Sequence, residues 1–216
     1  MRSSPHRVSD VMTHAVVAVG REAPFKEIVE RMDQWKVSAL PVLEGDGRVI
    51  GVVSEADLLP KEEFRDSDPD RFTQLRRLSD MAKAGGVRAE ELMSAPAVTV
   101  HADATLAEAA RIMALRNVKR LPVVNAEGLL EGVVSRGDLL KVFLRPDKDL
   151  ADDIRRDVVD ILFPDPVEPV HIMVTEGVAT LTGRVPDASR IPLAVRLVRG
   201  VEGVVGVDCR LTGAAE

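Results

Sequence analysis

The sequence predicts an α+β protein in which two pseudo-symmetric β-α-β-β-α units pack as a pair and are followed by a small α-β-β-α-β unit. Three observations predict this fold class. A shift of 81 residues aligns residues 12–59 with residues 93–140 without a gap, and 18 of the 48 aligned pairs are identical. Each copy combines an apolar stripe of helical period with two apolar runs around a short connection. After Pro146 the repeat stops and a different pattern begins.

Each copy predicts the same order of elements. A β-branched run opens it, at residues 16–19 and 97–100, and predicts a first strand. A helix follows, because apolar residues recur at i, i+3, i+4 and i+7. These residues are Phe25, Ile28, Val29 and Met32 in the first copy and Leu106, Ala109, Ala110 and Met113 in the second. The helix starts differ, since Pro24 suits a first turn whereas Thr105 and Glu108 match a capping box.

Two apolar runs around an acidic, Gly-containing connection then predict a hairpin in each copy. The runs are ALPVL and RVIGVVS around EGDG in the first copy, and RLPVV and LLEGVVS around NAEG in the second. A second helix opens at SEADLL and at SRGDLL. A unit of about 50 to 60 residues buries too little surface to be stable alone, so we expect the two copies to pack against each other.

The repeat sets the predicted domain boundaries. Residues 1–62 form the first repeat, residues 88–145 the second, and residues 146–216 the C-terminal unit. The charged segment 63–87 between the repeats predicts an acidic loop, a linker helix that packs on the pair, and a glycine break. The helical spacing rests on Phe72, Leu75, Leu78 and Ala82, and the break on Gly85 and Gly86.

The repeats resemble a known family, the tandem CBS domains that form a Bateman module. The resemblance covers about residues 8–145 and is carried by DVM at 10–12, LPV at 40–42 and 121–123, and the run Gly, two apolar residues, Ser, two variable residues, Asp in each copy. It implies a pair that often dimerises into a disc, with clefts that bind an adenine nucleotide such as AMP, ADP or ATP. It implies no catalytic machinery and no required cofactor.

The Ser-x-x-Asp pattern has two compatible interpretations. In one, Ser54 and Ser135 are helix N-caps, and Asp57 and Asp138 close a capping box. In the other, the helix start and the Ser hydroxyl face a phosphate, while the carboxylate accepts both hydroxyls of a ribose. The resemblance implies ribose contacts for Asp138 and Asp57, and phosphate contacts for Ser135 and Ser54.

The two copies differ ahead of the LPV strand. The second copy has Lys119 and Arg120 where the first has Ser38 and Ala39. In some members of the family that these repeats resemble, basic residues at this position reach the ligand phosphates, and Arg suits that contact well. A solvated strand end is the competing interpretation. We expect the second copy to be the better phosphate site, and the first to bind a nucleoside, a different nucleotide or nothing.

The C-terminal unit predicts the order α-β-β-α-β. Two helices are indicated by apolar stripes at Ile154, Val158, Ile161 and Leu162 and at Ile191, Ala194, Val195 and Val198. Two alternating runs joined at Glu176 and Gly177 predict a strand pair, and GVVGVDCRL predicts a closing strand. This order, with GVATLTGRV and VRGVEGVVGVDCRL, resembles the BON domain. The resemblance implies a protein or phospholipid partner, and a protein partner is the safer expectation for a chain without a recognisable export signal.

Composition excludes several functional classes. The formal net charge of -6 and the aromatic content of 3% argue against a nucleic-acid binder. The single Cys209 excludes an internal disulfide, and its strand context predicts a half-buried small apolar residue. The four histidines lack metal-site spacing. We find neither a catalytic triad nor a stretch of about 20 apolar residues, so we expect a cytoplasmic protein that is not an enzyme and does not span a membrane.

Two functional hypotheses remain. In the first, the CBS pair senses an adenine nucleotide and relays its occupancy to a homodimer or to the BON unit, which requires different affinities in two states. In the second, the clefts are vestigial, and the BON unit binds a partner protein or an anionic lipid surface. Lys119 and Arg120 favour the first hypothesis, and the absence of basic residues from the first cleft favours the second.

Overall fold

The computed structural model describes residues 6–64 and 78–213, which form two compact units. One unit spans residues 7–136, and the other comprises residues 137–213 with His6. In the described part of the chain, no helix is long and apolar enough to cross a membrane.

The elements of the repeats follow the predicted order, with short helices added. The first repeat contains α1 (Val8–Val11), β1 (Val19–Gly20), α2 (Phe25–Trp35), β2 (Ala39–Glu44), β3 (Arg48–Ser54), α3 (Glu55–Leu58) and α4 (Pro60–Glu63). Helix α5 (Leu78–Gly85) precedes the second repeat. The second repeat contains α6 (Ala89–Leu92), β4 (Val100–His101), α7 (Leu106–Leu115), β5 (Arg120–Val124), β6 (Leu130–Ser135), α8 (Arg136–Leu140) and a 3-10 turn (Lys141–Leu144).

Each repeat builds one three-stranded sheet. Strand β2 lies between β1, which is parallel to it, and β3, which is antiparallel; β5 lies between β4 and β6 in the same way. The LPV residues are buried in both central strands. The predicted hairpins are present, and their tight turns place Gly45, Gly47 and Gly128 at positive φ.

The two repeats interlock through their N-terminal segments. The backbone of Thr13 exchanges hydrogen bonds with Val133 of the second repeat, and that of Ser94 exchanges them with Val52 of the first. Thr13 and Ser94 are aligned by the 81-residue shift, so the exchange is reciprocal. The unit 7–136 is therefore pseudo-symmetric, as the repeat predicts.

Three features of the repeats differ from the sequence prediction. The first strands have two residues each instead of four, because residues 16–18 and 97–99 find no ladder partner. The single-turn helices α1 and α6 lack an apolar stripe long enough to predict them. In the segment between the repeats, α5 ends at Gly85 as expected; the predicted acidic loop and the start of the linker helix, with Phe72 and Leu75, lie outside the described residues.

The C-terminal unit has the predicted order of elements. They are α9 (Asp147–Ile154), a π-helical turn (Arg155–Val159), α10 (Asp160–Leu162), β7 (Glu168–Thr175), β8 (Val178–Val185), a 3-10 turn (Ala188–Arg190), α11 (Ile191–Arg199) and β9 (Gly206–Gly213). Strand β8 pairs antiparallel with β7 and parallel with β9. Cys209 is half-buried on β9, as predicted.

One residue of the first predicted stripe was placed wrongly. Ile161 is 56% exposed, whereas Ile154, Val158 and Val159 are buried in the core. The π-helical turn inserts an extra residue between α9 and α10, so the apolar face shifts by one position and Phe163 fills the core instead.

Candidate functional site

The first repeat brings Ser54 and Asp57 together at the start of α3. Ser54 is the last residue of β3, and its extended backbone sets its side chain beside the first turn of the helix. Its backbone N–H and its hydroxyl both donate to Oδ2 of Asp57, at 2.8 Å and 2.6 Å. The Asp57 half of the predicted capping box is therefore formed. Helix α3 has four residues, so its dipole adds little to binding of an anion.

Two residues that the sequence analysis missed contact the other carboxylate oxygen of Asp57. Ser94 Oγ donates to Asp57 Oδ1 at 3.2 Å, and Lys83 Nζ forms an ion pair with the same oxygen. Lys83 Nζ also donates to Ser94 Oγ at 3.0 Å. Ser94 aligns with Thr13, and a hydroxyl residue that follows Met in both repeats is a signal that could have found it. Lys83 lies outside the repeat and carries no such signal.

The second repeat places Ser135 at the end of β6 and Asp138 in α8, at the positions that match Ser54 and Asp57. Lys141 Nζ forms an ion pair with Asp138 Oδ1 at 2.7 Å and is 56% exposed. The aligned position in the first repeat is Pro60, so this ion pair is specific to the second repeat.

The two basic residues of the second repeat have different surroundings. Lys119 is exposed and precedes β5. Arg120 pairs with Ser135 through the backbone of β5 and β6, but its guanidinium extends to the first repeat and donates to Ser38 Oγ at 2.7 Å. This differs from the expectation that Arg120 serves the second cleft, because the interlocked repeats bring its long side chain to the position that lacks a basic residue of its own.

A cavity of about 800 Å³ lies beside α2 and α3 in the unit 7–136. Among the predicted ligand-binding residues, Arg120 lines it. Its walls combine an apolar surface with a few polar groups, which is the general composition of small-molecule sites. The lining residues are Phe25, Val29, Met32, Asp33, Lys36, Val37, Ser38, Glu55, Leu58, Leu59, Lys61, Glu62 and Arg120.

Within residues 6–64 and 78–213, no group of three or more His, Cys, Asp or Glu side chains could hold a metal ion. Two of the four histidines make close polar contacts of another kind. His101 Nδ1 lies 3.0 Å from the Val124 carbonyl oxygen, and His6 Nδ1 lies 2.7 Å from a carboxylate oxygen of Glu202. The arrangement around Asp57 brings hydroxyl, carboxylate and basic groups within hydrogen-bond distance of one another.

Comparisons with known proteins agree with this architecture. An uncharacterized protein of Methanocaldococcus jannaschii, MJ1426, is 28% identical over 153 residues, which cover 63% of this chain and 90% of that protein. CBS domain-containing protein CBSX2 of Arabidopsis thaliana, a chloroplastic protein, is 28% identical over 159 residues, which cover 67% of this chain and 66% of that protein.

Two solved structures share the fold of the repeats. The crystal structure of CBSX2 in complex with AMP matches with a TM-score of 0.57 at 30% identity, covering 64% of this chain and 97% of that one. The crystal structure of the CBS domain pair of protein MJ0100, in complex with 5′-methylthioadenosine and S-adenosyl-L-methionine, matches with a TM-score of 0.50 at 18% identity, covering 65% of this chain and 97% of that one. The second likeness shows the fold alone.

Family models match nearly the whole described chain. The model for the CBS domain matches residues 8–61 and 89–145, and the model for the BON domain matches residues 146–215. These ranges coincide with the two interlocked repeats and the C-terminal α-β-β-α-β unit. The chain therefore belongs to the CBS-domain family, as a CBS pair followed by a BON domain.

Proposed function

We propose that the CBS pair is a regulatory module that binds an adenosine-containing nucleotide of the AMP, ADP or ATP class. The observation that carries this proposal is the Ser and Asp pair at the start of the helix that follows the first hairpin, where the N–H and the hydroxyl of Ser54 donate to Asp57. The AMP complex of the similar plant protein CBSX2 supports the choice of ligand class.

The proposed roles follow from the chemistry of each side chain. Asp138 and Asp57 accept the two hydroxyls of a ribose, because a carboxylate offers about four lone-pair sites. Ser135 and Ser54 contact the phosphate through their hydroxyls. Arg120 and Lys119 supply positive charge, and the reach of Arg120 to Ser38 makes it available to a phosphate in the first cleft.

We further propose that nucleotide occupancy acts without catalysis, on a homodimer of the CBS pair or on the BON domain. Apolar side chains exposed on the helices of the unit 7–136 support self-association: Val29 and Trp35 on α2, Leu59 after α3 and Leu115 on α7. Burying such side chains removes apolar surface from water, which is the main driving force for association.

The second candidate function is a scaffold whose BON domain binds an anionic lipid surface or a protein partner. One observation favours it. Helix α11 exposes Leu193 and Leu197 on the same element as Arg196 and Arg199. Apolar and basic side chains together on one helix are typical of surfaces that bind anionic membranes.

Calorimetry tests the first proposal against the second. We expect titration with AMP, ADP, ATP and S-adenosylmethionine to give saturable heat with at least one ligand, and Asp138→Ala to abolish the main binding event. Asp57→Ala should remove any second event. Absence of heat from folded wild-type protein with every ligand would overturn nucleotide sensing and leave the scaffold hypothesis, which predicts binding to anionic vesicles that is lost in Leu193→Ala.

A further inference from the structure

The carboxylate of Asp57 has no lone-pair site left for a ribose. Its Oδ2 accepts hydrogen bonds from the backbone N–H and the hydroxyl of Ser54. Its Oδ1 accepts hydrogen bonds from Ser94 Oγ and Lys83 Nζ. These four donors match the roughly four lone-pair sites of an ionised carboxylate. A ribose can therefore reach Asp57 only by displacing some of its present partners.

Lys83 is the partner that comes from outside the repeats. It lies on α5, in the segment between the two copies, and its side chain is 18% exposed while that of Asp57 is 12% exposed. Lys61 Nζ fixes the same helix by donating to the Ala84 carbonyl oxygen at 3.0 Å. Solvent competes little for an ion pair this well shielded, so its charged hydrogen bonds are stronger than those of an exposed pair.

The second repeat has a different arrangement. Lys141, three residues from Asp138 and 56% exposed, forms an ion pair with it, and water competes with this contact. These two ion pairs of the aligned carboxylates therefore differ in where the lysine comes from: Lys83 lies in the segment between the repeats, whereas Lys141 follows Asp138 within the same repeat.

We propose that Lys83 is an internal competitor of the nucleotide at the first cleft, which binds ligand only when Lys83 leaves Asp57. This inference rests on the proposed nucleotide binding and adds its regulation. The ammonium group and Ser94 occupy the oxygen that a ribose hydroxyl needs. Nucleotide binding at the first cleft consequently detaches the C-terminal end of α5, and helix α5 reports on the occupancy of that cleft.

Calorimetry with AMP tests this competition in the full-length chain. An Asp138→Ala background removes binding at the second cleft, so that the remaining heat reports on the first. Lys83→Met in that background should bind AMP at least about tenfold more tightly, because a hydrogen bond to a charged group no longer competes with the ribose. Lys26→Met, which removes an exposed charge on α2, is the matched control and should leave the affinity unchanged.

Hydrogen exchange on the wild-type chain provides a second measurement that needs no substitution. Saturating AMP should speed exchange of the amides of residues 78–85, whereas unchanged exchange would overturn displacement of Lys83. Equal AMP affinity with and without Lys83→Met, or an equal gain in Lys26→Met, would overturn the competition and leave nucleotide binding intact. Absence of AMP binding in every variant and in the wild type would overturn both proposals.

Discussion

Gly51 and Gly132 lie where the two repeats pack closely against each other. A Cβ atom at position 132 would lie 2.7 Å from Sδ of Met12 and 3.0 Å from the Thr13 carbonyl oxygen. At position 51 the corresponding atoms belong to Met93 and Ser94. The glycine in the repeated GVV run is therefore explained by packing of the other repeat, and not by a turn.

We predict that Gly132→Ala lowers the free energy of unfolding by about 1 to 3 kcal/mol, because the added methyl group overpacks the contact with Met12. Urea denaturation of the variant measures the change. Gly20→Ala is the control, since a Cβ at position 20 meets nothing within 4 Å. Equal stability of Gly132→Ala and the wild type would contradict this account of the interlock.

Asp153 is the residue on which the acid stability of the C-terminal unit should depend. Burial raises the pKa of Asp153, but hydrogen bonds from Arg145 and Arg156 outweigh it, so that the pKa lies below its ordinary value. A depressed pKa stabilises the folded state above the unfolded pKa of about 3.9 and ceases to do so as the pH falls through the folded value.

Asp153→Asn should therefore lower the stability at neutral pH by about 2 kcal/mol, the scale of hydrogen bonds to a charged group. Its unfolding temperature should also fall less than that of the wild type between pH 5 and about pH 3. Thermal unfolding followed by circular dichroism measures both effects. Asp152→Asn, on the exposed side of the same helix, is the control; parallel pH profiles for Asp153→Asn and wild type would contradict the assignment.

At the scale of elements, the start of α7 is the better defined of the two matching helix starts. Thr105 Oγ1 accepts from the Glu108 N–H at 3.2 Å, and the Thr105 N–H donates to Glu108 Oε2 at 2.8 Å. Both halves of the capping box that the sequence predicts are present. At α2 the N-cap is Pro24, whose side chain makes no cap hydrogen bond.

Thr105→Ala should accordingly destabilise the chain by about 1 kcal/mol through loss of the side-chain cap. Chemical denaturation with urea measures the loss. Thr105→Ser retains the hydroxyl and serves as the control, and a stability of Thr105→Ala equal to that of Thr105→Ser would contradict a role for this cap.

Helices and hairpins were predictable because their signals are local. The apolar stripes of α2 and α7 lie within one element, and the Glu176-Gly177 dipeptide signals its own turn, in which both residues have positive φ. The length of the first strands and the buried face of α10 were not predictable, because they depend on partners distant in sequence. Ile161 fits the helical period of the sequence, but the π-helical turn before α10 moves it to the surface.

At the scale of the whole molecule, the repeat predicted the pair but not the surroundings of its carboxylates. Asp57 and Asp138 could be found by aligning the chain with itself. Lys83 and the reach of Arg120 to Ser38 could not, because each contact joins residues that no repeat or motif relates. The surroundings of Asp57 therefore include a lysine from the segment between the copies, in addition to the residues that the repeat relates.

The proposed self-association gives a prediction at this scale. Leu59 is 64% exposed beside the cavity at α2 and α3, and Leu59→Glu should lower the fraction of dimer because a charge opposes burial of that face. Sedimentation velocity measures the fraction. Met173→Glu places the same charge on an exposed apolar position of β7, and an equal loss of dimer in this control would contradict association through the CBS helices.

The central claim is that a ribose is bound by the carboxylates that open the helices after each hairpin. The most direct test compares the affinity of AMP with that of its 2′,3′-dideoxy analogue by calorimetry on the wild-type chain. Loss of two hydrogen bonds to a charged acceptor should weaken binding by about a hundredfold or more. Equal affinity for the two nucleotides would contradict the account, because the ligand would then be held without its ribose hydroxyls.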